Sequence, residues 1–237
     1  MNIFKLRLLK IVFLLTHFKY LAIFLKFKAC PSLENLNLIS GLKFNNILDV
    51  GANIGQFSLL ASYLYPNKKI IAFEPISICY EIFLRTFENN KNIHIYNLAL
   101  GNVNKRQKFF LTGSSDSSSL LKPIYFNYTK EFDVQIKRAD SIIDKKILKN
   151  SLLKIDVQGF EFEVLKGFSN SLKDLKYILV EISSINTYEN QPLFDSINQY
   201  LMKKNFKCIK VDNKTNFKNK FYQADYLYLN NSLNDAS

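Results

Sequence analysis

Short apolar runs alternate with helix-like stretches along the chain from Asn45 onward. Residues 46–50 predict a buried strand, and residues 56–65 place their apolar side chains on one face of a helix. This alternation is typical of a parallel sheet with crossover helices, so we expect an α/β fold. The other predicted strands are 68–74, 93–100, 152–157, 177–183, 207–212 and 225–230, and the other predicted helices are 75–89, 161–166 and 192–205.

Two further runs lie between the third and fourth of these strands. Residues 107–113 and 133–139 predict an added hairpin pair. The serine-rich stretch 113–121 lies between them and predicts a loop or a lid.

The first 28 residues are basic and rich in apolar and aromatic side chains. Their longest run without a charged residue, 11–18, has eight residues, whereas a helix that spans a bilayer needs about 20. A secretory signal is also disfavoured, because Lys19 follows this run and no small-residue cleavage pattern appears after it. We therefore expect residues 1–28 to form a basic amphipathic helix, followed by one domain over residues 29–237. Two placements stay open for this helix, the interface of an anionic membrane and the surface of the domain.

The composition limits the classes of function. Hydrophobic residues make up 48% of the chain and charged residues 22%, which is ordinary for a packed domain. The net charge is +12, but lysine outnumbers arginine 28 to 4. Because phosphate and base recognition favours the planar arginine group, nucleic-acid binding is disfavoured. Three separated cysteines indicate neither a disulfide framework nor a cysteine zinc site, and we expect a cytoplasmic protein, peripheral on the inner membrane face where its N-terminus docks there.

The turn after the first predicted strand is the strongest candidate for a binding site. Asp49 ends the strand, and the turn with Gly51, Asn53 and Gly55 leads into a helix, so its backbone N–H groups can approach a ligand closely. Glu74 ends the second predicted strand, where a carboxylate can accept hydrogen bonds from both hydroxyls of a ribose. The Gly-x-x-x-Gly spacing departs from the dinucleotide fingerprint, so a nicotinamide-dependent oxidoreductase fits less well. S-adenosylmethionine fits better, because it lacks phosphates and its cationic groups suit an acidic residue.

Three more carboxylates are candidates for catalysis. Asp156 follows the fourth predicted strand at the carboxyl edge of the sheet, beside the expected ligand. Glu161 enters the first turn of the next helix, where an acid also stabilises the helix by about 0.3–1 kcal/mol. Glu181 lies in the apolar fifth strand, where a structural ion pair is an equal alternative. The chain has only two histidines, so a carboxylate or a lysine is the expected acid or base.

Five motifs, DVGANIGQF, AFEP, LALGN, LLKIDVQGFEFEVLKG and ILVEIS, occur in the order and spacing of one known family. Across about residues 45–230 the chain resembles the FkbM family of S-adenosylmethionine-dependent methyltransferases. The resemblance implies a class I methyltransferase (Rossmann-like) fold, with a seven-stranded, mostly parallel sheet flanked by helices and an antiparallel last strand. It also implies O-methylation of a hydroxyl, frequently on a sugar or a polyketide. Nothing in it covers residues 1–28.

The resemblance further implies roles for the matching positions. The implied cofactor contacts are Asp49, Gly51, Asn53, Gly55, Phe57, Glu74, Pro75 and Leu100, and the implied acids facing the acceptor are Asp156, Glu161 and Glu181.

A sugar hydroxyl is a poor nucleophile and needs a base near the attacking oxygen. We assign this role to Asp156, acting directly or through a divalent metal such as Mg²⁺ held by acids that include it. The acceptor is expected to be a small molecule or a glycan. Two other interpretations stay open, a nicotinamide-dependent oxidoreductase and a peripheral membrane adaptor that has lost its chemistry.

Overall fold

A computed structural model describes residues 3–125, 127–217 and 220–236. Positions 1, 2 and 237, at the ends of the two predicted segments, lie outside the described residues. The helices are α1 (Ile3–Thr16), α2 (Phe18–Phe27), α3 (Leu36–Ile39), α4 (Gln56–Leu64), α5 (Ser77–Phe87), α6 (Ala139–Ile142), α7 (Lys145–Leu148), α8 (Glu161–Gly167) and α9 (Phe194–Lys203). The strands are β1 (Ile47–Val50), β2 (Ile70–Phe73), β3 (Ile93–Tyr96), β4 (Ala99–Leu100), β5 (Lys105–Thr112), β6 (Tyr128–Lys137), β7 (Ser151–Ile155), β8 (Leu175–Ser183), β9 (Phe206–Phe217) and β10 (Lys220–Asn230).

Seven strands form the central sheet, in the order β3-β2-β1-β7-β8-β10-β9. β10 runs antiparallel to β8 and β9, and the other neighbouring strands are parallel. This confirms the predicted α/β sheet with its antiparallel last strand. The chain places β1, β2 and β3 outward to one side and then returns to place β7 beside β1. Ligands of such sheets bind outside the carboxyl ends of the strands at this switch point.

One predicted strand is divided in the structure. Residues 93–100 form β3 in the central sheet and β4 in a small sheet of order β4-β6-β5. The chain turns between them at Asn97, whose side-chain amide donates to the carbonyl oxygens of Glu74 and Pro75 at 2.9 and 3.2 Å. β5 and β6 pair antiparallel, which confirms the predicted added hairpin.

Alternation along the central strands decides which side chains share a face of the sheet. In β1, Ile47 packs into the core on one face and Leu48 packs into the core on the other. Leu152 of β7 packs on the same face as Ile47. Because side chains alternate with period two, Asp49 and Lys154 follow Ile47 and Leu152 onto that face. The helices α1 to α4 cover it.

The N-terminal segment forms two helices where the sequence predicted one. α1 and α2 are bent by 113° relative to each other, with the break at His17. Leu14 and Tyr20 are buried, and the rings of Phe13, His17 and Tyr20 contact Tyr63 of α4. One side of the segment is therefore packed on the domain. Among the described helices, none is by itself long and apolar enough to cross a membrane, and α1 and α2 reach that length and composition only as a bent pair.

Candidate active site

A cavity of about 550 Å³ lies at the carboxyl ends of β1, β2, β7 and β8, at the switch point of the sheet. Its size is within the usual range for a small-molecule site. Of the predicted site residues, Gly51, Asn53, Phe57, Glu74, Pro75, Leu100, Asp156 and Glu181 line it. Asp49, Gly55 and Glu161 lie nearby but do not line it.

The glycine turn after β1 lies directly against the end of β7. Gly51 has a φ of +79°, and a Cβ there would lie 1.9 Å from the carbonyl oxygen of Asp156. Only glycine allows this approach. Gly55 has a φ of +95°, and a Cβ there would lie 2.7 Å from the ring of Phe87 in α5. Gly51 therefore shapes the cavity wall, whereas Gly55 permits packing between helices.

Glu74 is buried just after β2 and fixes the glycine turn. Its Oε2 accepts the backbone N–H of Asn53 at 2.8 Å, and its Oε1 accepts that of Ile76 at 2.7 Å. Burial raises the pKa of Glu74 to about 7, although both hydrogen bonds act in the opposite direction. Each carboxylate oxygen has a further lone pair. The group can therefore accept hydroxyl groups of a ligand in addition to the backbone.

Lys154 and Asp49 are neighbours across β7 and β1. The Lys154 ammonium lies 3.1 Å from Asp156 Oδ2 and 3.9 Å from Asp49 Oδ1. Asp49 is fully buried, accepts the Ser58 hydroxyl at 2.7 Å, and has its pKa raised by burial against the effect of Lys154. Burial alone would lower the pKa of Lys154, but Asp156 and Asp49 together raise it above its ordinary value. Lys154 is therefore a buried cation that connects Asp49 of β1 with Asp156 at the cavity.

A hydrogen-bonded chain of polar side chains continues from Asp156 across the neighbouring strands. The Gln158 amide nitrogen donates to Asp156 Oδ1 at 2.8 Å and to Glu181 Oε2 at 3.0 Å. Glu181 Oε1 accepts the amide of Gln223 from β10 at 2.8 Å. Burial, followed by the charge of Asp156, raises the pKa of Glu181 well above its usual range. We call Asp156, Gln158, Glu181 and Gln223 the polar cluster; all four line the cavity.

Glu161 takes a different position from Asp156 and Glu181. Its Oε1 accepts the backbone N–H groups of Gly159 at 2.9 Å and Val157 at 3.3 Å, so it closes the turn between β7 and α8. Its position supports the helix-start role that the sequence left open for it, and the side chain does not line the cavity. Burial raises the pKa of Glu161 to about 7.

We expect Glu161→Gln to keep kcat within about threefold of wild type, because the side chain does not line the cavity. A folded-state pKa near 7, above the ordinary 4.5, gives stability that is complete below pH 4.5 and is lost as the pH rises through 7. The variant should therefore gain about 1–3 kcal/mol relative to wild type between pH 5 and pH 8, measured by denaturant unfolding. Glu163→Gln, which changes a partly exposed acid of the same helix turn, is the control. A hundredfold loss of kcat with Glu161→Gln would support the catalytic role predicted for it from the sequence.

The serine-rich loop lies over the cavity. Asp116 and Ser115 accept the side-chain amide of Asn53 at 2.8 and 3.0 Å. On the opposite side, the Tyr188 hydroxyl donates to the Ser117 carbonyl at 2.9 Å. The stretch that the sequence predicted as a loop or lid is thus a loop, with a short 3₁₀ turn at Ser115–Ser117, held at both of its sides.

Several residues that line the cavity were not predicted from the sequence. Lys154 and Gln158 stand in the quoted motif, and the spacing Lys-x-Asp on a strand already places Lys154 and Asp156 on one face. Gln223 has no local signal, because only the antiparallel pairing of β10 with β8 brings it to Glu181. The N-terminal region also contributes Lys10 and Glu34, which form an ion pair at 2.8 Å in the cavity wall, together with Ser32 and Asn35.

The donor set does not fit the divalent metal that the sequence allowed. Within residues 3–125, 127–217 and 220–236, no group of three or more His, Cys, Asp or Glu side chains has a metal-binding arrangement. Both oxygens of Asp156 already face hydrogen-bond donors, the ammonium of Lys154 and the amide of Gln158. A cation at Asp156 would meet the positive charge of Lys154.

Comparison with known proteins gives consistent matches. Residues 49–208, more than half of the chain, match the model of the methyltransferase FkbM domain. The chain is 30% identical over 203 residues to the methyltransferase sdnD of Sordaria araneosa, across 68% of this chain and 73% of that protein. It is 31% identical over 141 residues to the hexuronic acid methyltransferase AglP of Haloferax volcanii, across 56% of this chain and 54% of that protein. The crystal structure of Aeropyrum pernix fibrillarin with S-adenosyl-L-methionine aligns with a TM-score of 0.50 at 13% identity, across 83% of this chain and 71% of that one.

The strand order and the cavity at its switch point are those of a class I, S-adenosylmethionine-dependent methyltransferase. Within this class the chain belongs to the FkbM methyltransferase family. The predicted family, fold class and enzyme class are confirmed, and the oxidoreductase and the adaptor without chemistry are set aside. The cavity fits the cofactor, since the backbone of the glycine turn lines it and each oxygen of the buried Glu74 carboxylate keeps a lone pair that can accept a ribose hydroxyl.

Glu74→Gln should weaken S-adenosylmethionine binding about tenfold or more, because hydrogen bonds to a charged group contribute about 1.5–3 kcal/mol. The ribose hydroxyls bind the ionised carboxylate best, and the pKa of Glu74 is about 7. Wild-type affinity should therefore rise as the pH increases through 7, and this rise should be smaller in the variant. Isothermal titration calorimetry from pH 6 to pH 8 measures both effects, with the exposed Glu88→Gln as control. Unchanged affinity and an unchanged pH profile would remove Glu74 from the cofactor site.

Proposed function

We propose that this enzyme transfers the methyl group of S-adenosylmethionine to a hydroxyl of a sugar, either in a glycan or in a small glycoside. The observation that carries the proposal is the polar cluster in the cavity. Its two carboxylates and two amides present oxygen acceptors and N–H donors along the ends of β7, β8 and β10. Such a mixed set suits the hydroxyls of a sugar, each of which donates and accepts hydrogen bonds.

The cluster and Glu74 lie on opposite sides of the switch point. The strands β2 and β8 are separated by β1 and β7, so at a strand spacing of about 4.8 Å their ends are about 14 Å apart. A cofactor held by its ribose at Glu74 can extend along this edge toward Asp156. The same edge then leaves Glu181 and Gln223 for the acceptor.

Asp156 is the base in this proposal. When bound, S-adenosylmethionine supplies a methyl group on a cationic sulfonium for direct displacement. Asp156 accepts the proton of the attacking hydroxyl, while the Lys154 ammonium at 3.1 Å and the Gln158 amide at 2.8 Å hold its carboxylate in one orientation. Glu181, with its raised pKa, is suited to donate a hydrogen bond to a second sugar oxygen.

The similarity to AglP supports a sugar acceptor, because that protein is a hexuronic acid methyltransferase. A hexuronic acid offers both hydroxyls and a carboxylate, so ether and ester formation must be separated. The test uses S-adenosylmethionine with a labelled methyl group, hexuronic acid glycosides and matched neutral hexosides, with the product read by mass spectrometry. We expect a labelled product that survives mild alkali, as a methyl ether does.

One control substrate and two contradicting outcomes make this test decisive. A hexoside with all its hydroxyls already methylated should accept no label. A label released by mild alkali would show methyl ester formation and would contradict transfer to a hydroxyl. Label on no sugar of the panel, with transfer to an amine or a thiol instead, would contradict the sugar acceptor while leaving the methyltransferase class intact.

A further inference from the structure

Helix α1 has two distinct sides. Its inner side packs on the domain through Leu14, which is buried, and through the partly buried Leu6 and Phe13, while Lys10 lies in the cavity wall. Its outer side carries five bulky apolar residues, each between 49% and 74% exposed: Phe4, Leu8, Ile11, Val12 and Leu15. We call these five residues the outer apolar stripe.

The stripe is continuous along the helix. Its members are spaced at i, i+4, i+7, i+8 and i+11 from Phe4, which places them on one face at 100° per residue. In a soluble helix this is the pattern of a buried face, yet here α1 already buries its other side. Contiguous apolar patches of this kind mark surfaces that bind a partner or a membrane.

The charges around the stripe favour an anionic partner. On the helix, Lys5 and Arg7 fall on the two borders of the stripe, and residues 3–28 contain six basic residues and no acidic one. On α2, Phe18 is 79% exposed and Leu25 63% exposed, with Lys19 and Lys26 exposed beside them. A second copy of the chain would bring the same positive charge against this face, which opposes self-association. An anionic bilayer offers both an apolar layer and negative head groups.

From this arrangement we propose that α1 and α2 form a docking surface for an anionic lipid bilayer. The outer apolar stripe and Phe18 enter the boundary between head groups and acyl chains, and Lys5, Arg7 and Lys19 reach the head groups with their long side chains. The helices lie on the bilayer rather than across it, because a straight span would withdraw Leu14 from the core and open the 113° bend. Since Lys10 of the same helix lines the cavity, docking places the bilayer against an element of the cavity wall.

The test is flotation of the full chain with vesicles. Vesicles of phosphatidylcholine alone are compared with vesicles of equal parts phosphatidylcholine and phosphatidylserine, at low and at high salt. The test variant is Leu8→Gln/Ile11→Gln/Leu15→Gln, and the matched control is Met202→Gln/Ile209→Gln/Val211→Gln, three exposed apolar residues on α9 and β9. Calorimetry with S-adenosylmethionine and thermal unfolding confirm that both variants are folded.

We expect wild type and control to float with the anionic vesicles at low salt and to be released by high salt. The test variant should bind about tenfold or more weakly, with unchanged cofactor affinity. Anionic vesicle binding equal to wild type in the test variant would overturn the proposal, as would no vesicle binding by wild type. A shift of wild type alone to a dimer in size-exclusion chromatography would show that a second copy covers the stripe. Retention that resists both salt and alkaline carbonate would show insertion across the bilayer, and would also overturn surface docking. None of these results depends on the identity of the acceptor.

Discussion

Asp156→Asn is expected to lower kcat about 100-fold or more while changing the affinity for S-adenosylmethionine by no more than about threefold. The asparagine side chain has nearly the same shape and still offers an oxygen to Lys154, which lies 3.1 Å from the carboxylate in the wild type. It cannot accept the proton of an attacking hydroxyl. Single-turnover kinetics with a methylated sugar as product measure the chemical step, and calorimetry measures the cofactor affinity.

Asp133→Asn is the matched control, because Asp133 is an exposed aspartate on β6 outside the cavity. It should retain wild-type kcat. If Asp156→Asn also retained wild-type kcat, the base would have to be another group of the polar cluster, and Glu181 is its other carboxylate. If kcat and cofactor affinity fell together, Asp156 would serve to position the cofactor rather than to accept a proton.

The parts of the fold that depend on local pattern could be predicted from the sequence. The apolar runs located the seven strands of the central sheet, and the glycine turn with Glu74 located one end of the cavity. The prediction of a single strand over residues 93–100 was wrong for a local reason that the composition of the run does not show. The run is mostly apolar, but the side chain of Asn97 within it binds the backbone after β2 and turns the chain into the small sheet.

The polar cluster shows why the rest of the site could not be predicted. Asp156 and Glu181 were recognised as acids at strand ends, but their connection through Gln158 and Gln223 depends on the distance between strands and on the antiparallel return of β10. Glu161 is close to Asp156 in sequence, yet its side chain turns back to the backbone of its own turn. Closeness along the chain therefore did not indicate closeness to the cavity.

The N-terminal helices illustrate a second limit. Both sides of α1 are apolar, so periodicity alone could not decide between a packed helix and a membrane-facing one. Burial of Leu14 and exposure of Leu15 show how adjacent leucines divide between the domain and the outer face. The family match begins at Asp49, whereas the cavity wall also includes Lys10 and Glu34. The segment before the family domain is thus part of the site's architecture.

Gly51→Ala should lower both the cofactor affinity and kcat, each by about 100-fold, because a displacement of about 1 Å at a reacting centre has an effect of this order. The added Cβ would lie 1.9 Å from the carbonyl oxygen of Asp156, so either the turn or the end of β7 must move. Both walls of the cavity are then displaced relative to each other. Gly41→Ala separates this clash from the strain of a positive φ, since Gly41 has a φ of +77° with no heavy atom within 4 Å of its Cβ position.

Gly41→Ala, the control, should therefore lose only about 1–2 kcal/mol of unfolding free energy, from the strain of an alanine at a positive φ, and keep its cofactor affinity. Calorimetry with S-adenosylmethionine and denaturant unfolding are run on both variants. Equal cofactor affinities in Gly51→Ala and Gly41→Ala would mean that the approach of the turn to β7 does not shape the binding site. A loss of cofactor binding confined to Gly51→Ala, in a protein that still unfolds cooperatively, would show that the contact between the glycine turn and the Asp156 backbone holds the two halves of the cavity in register.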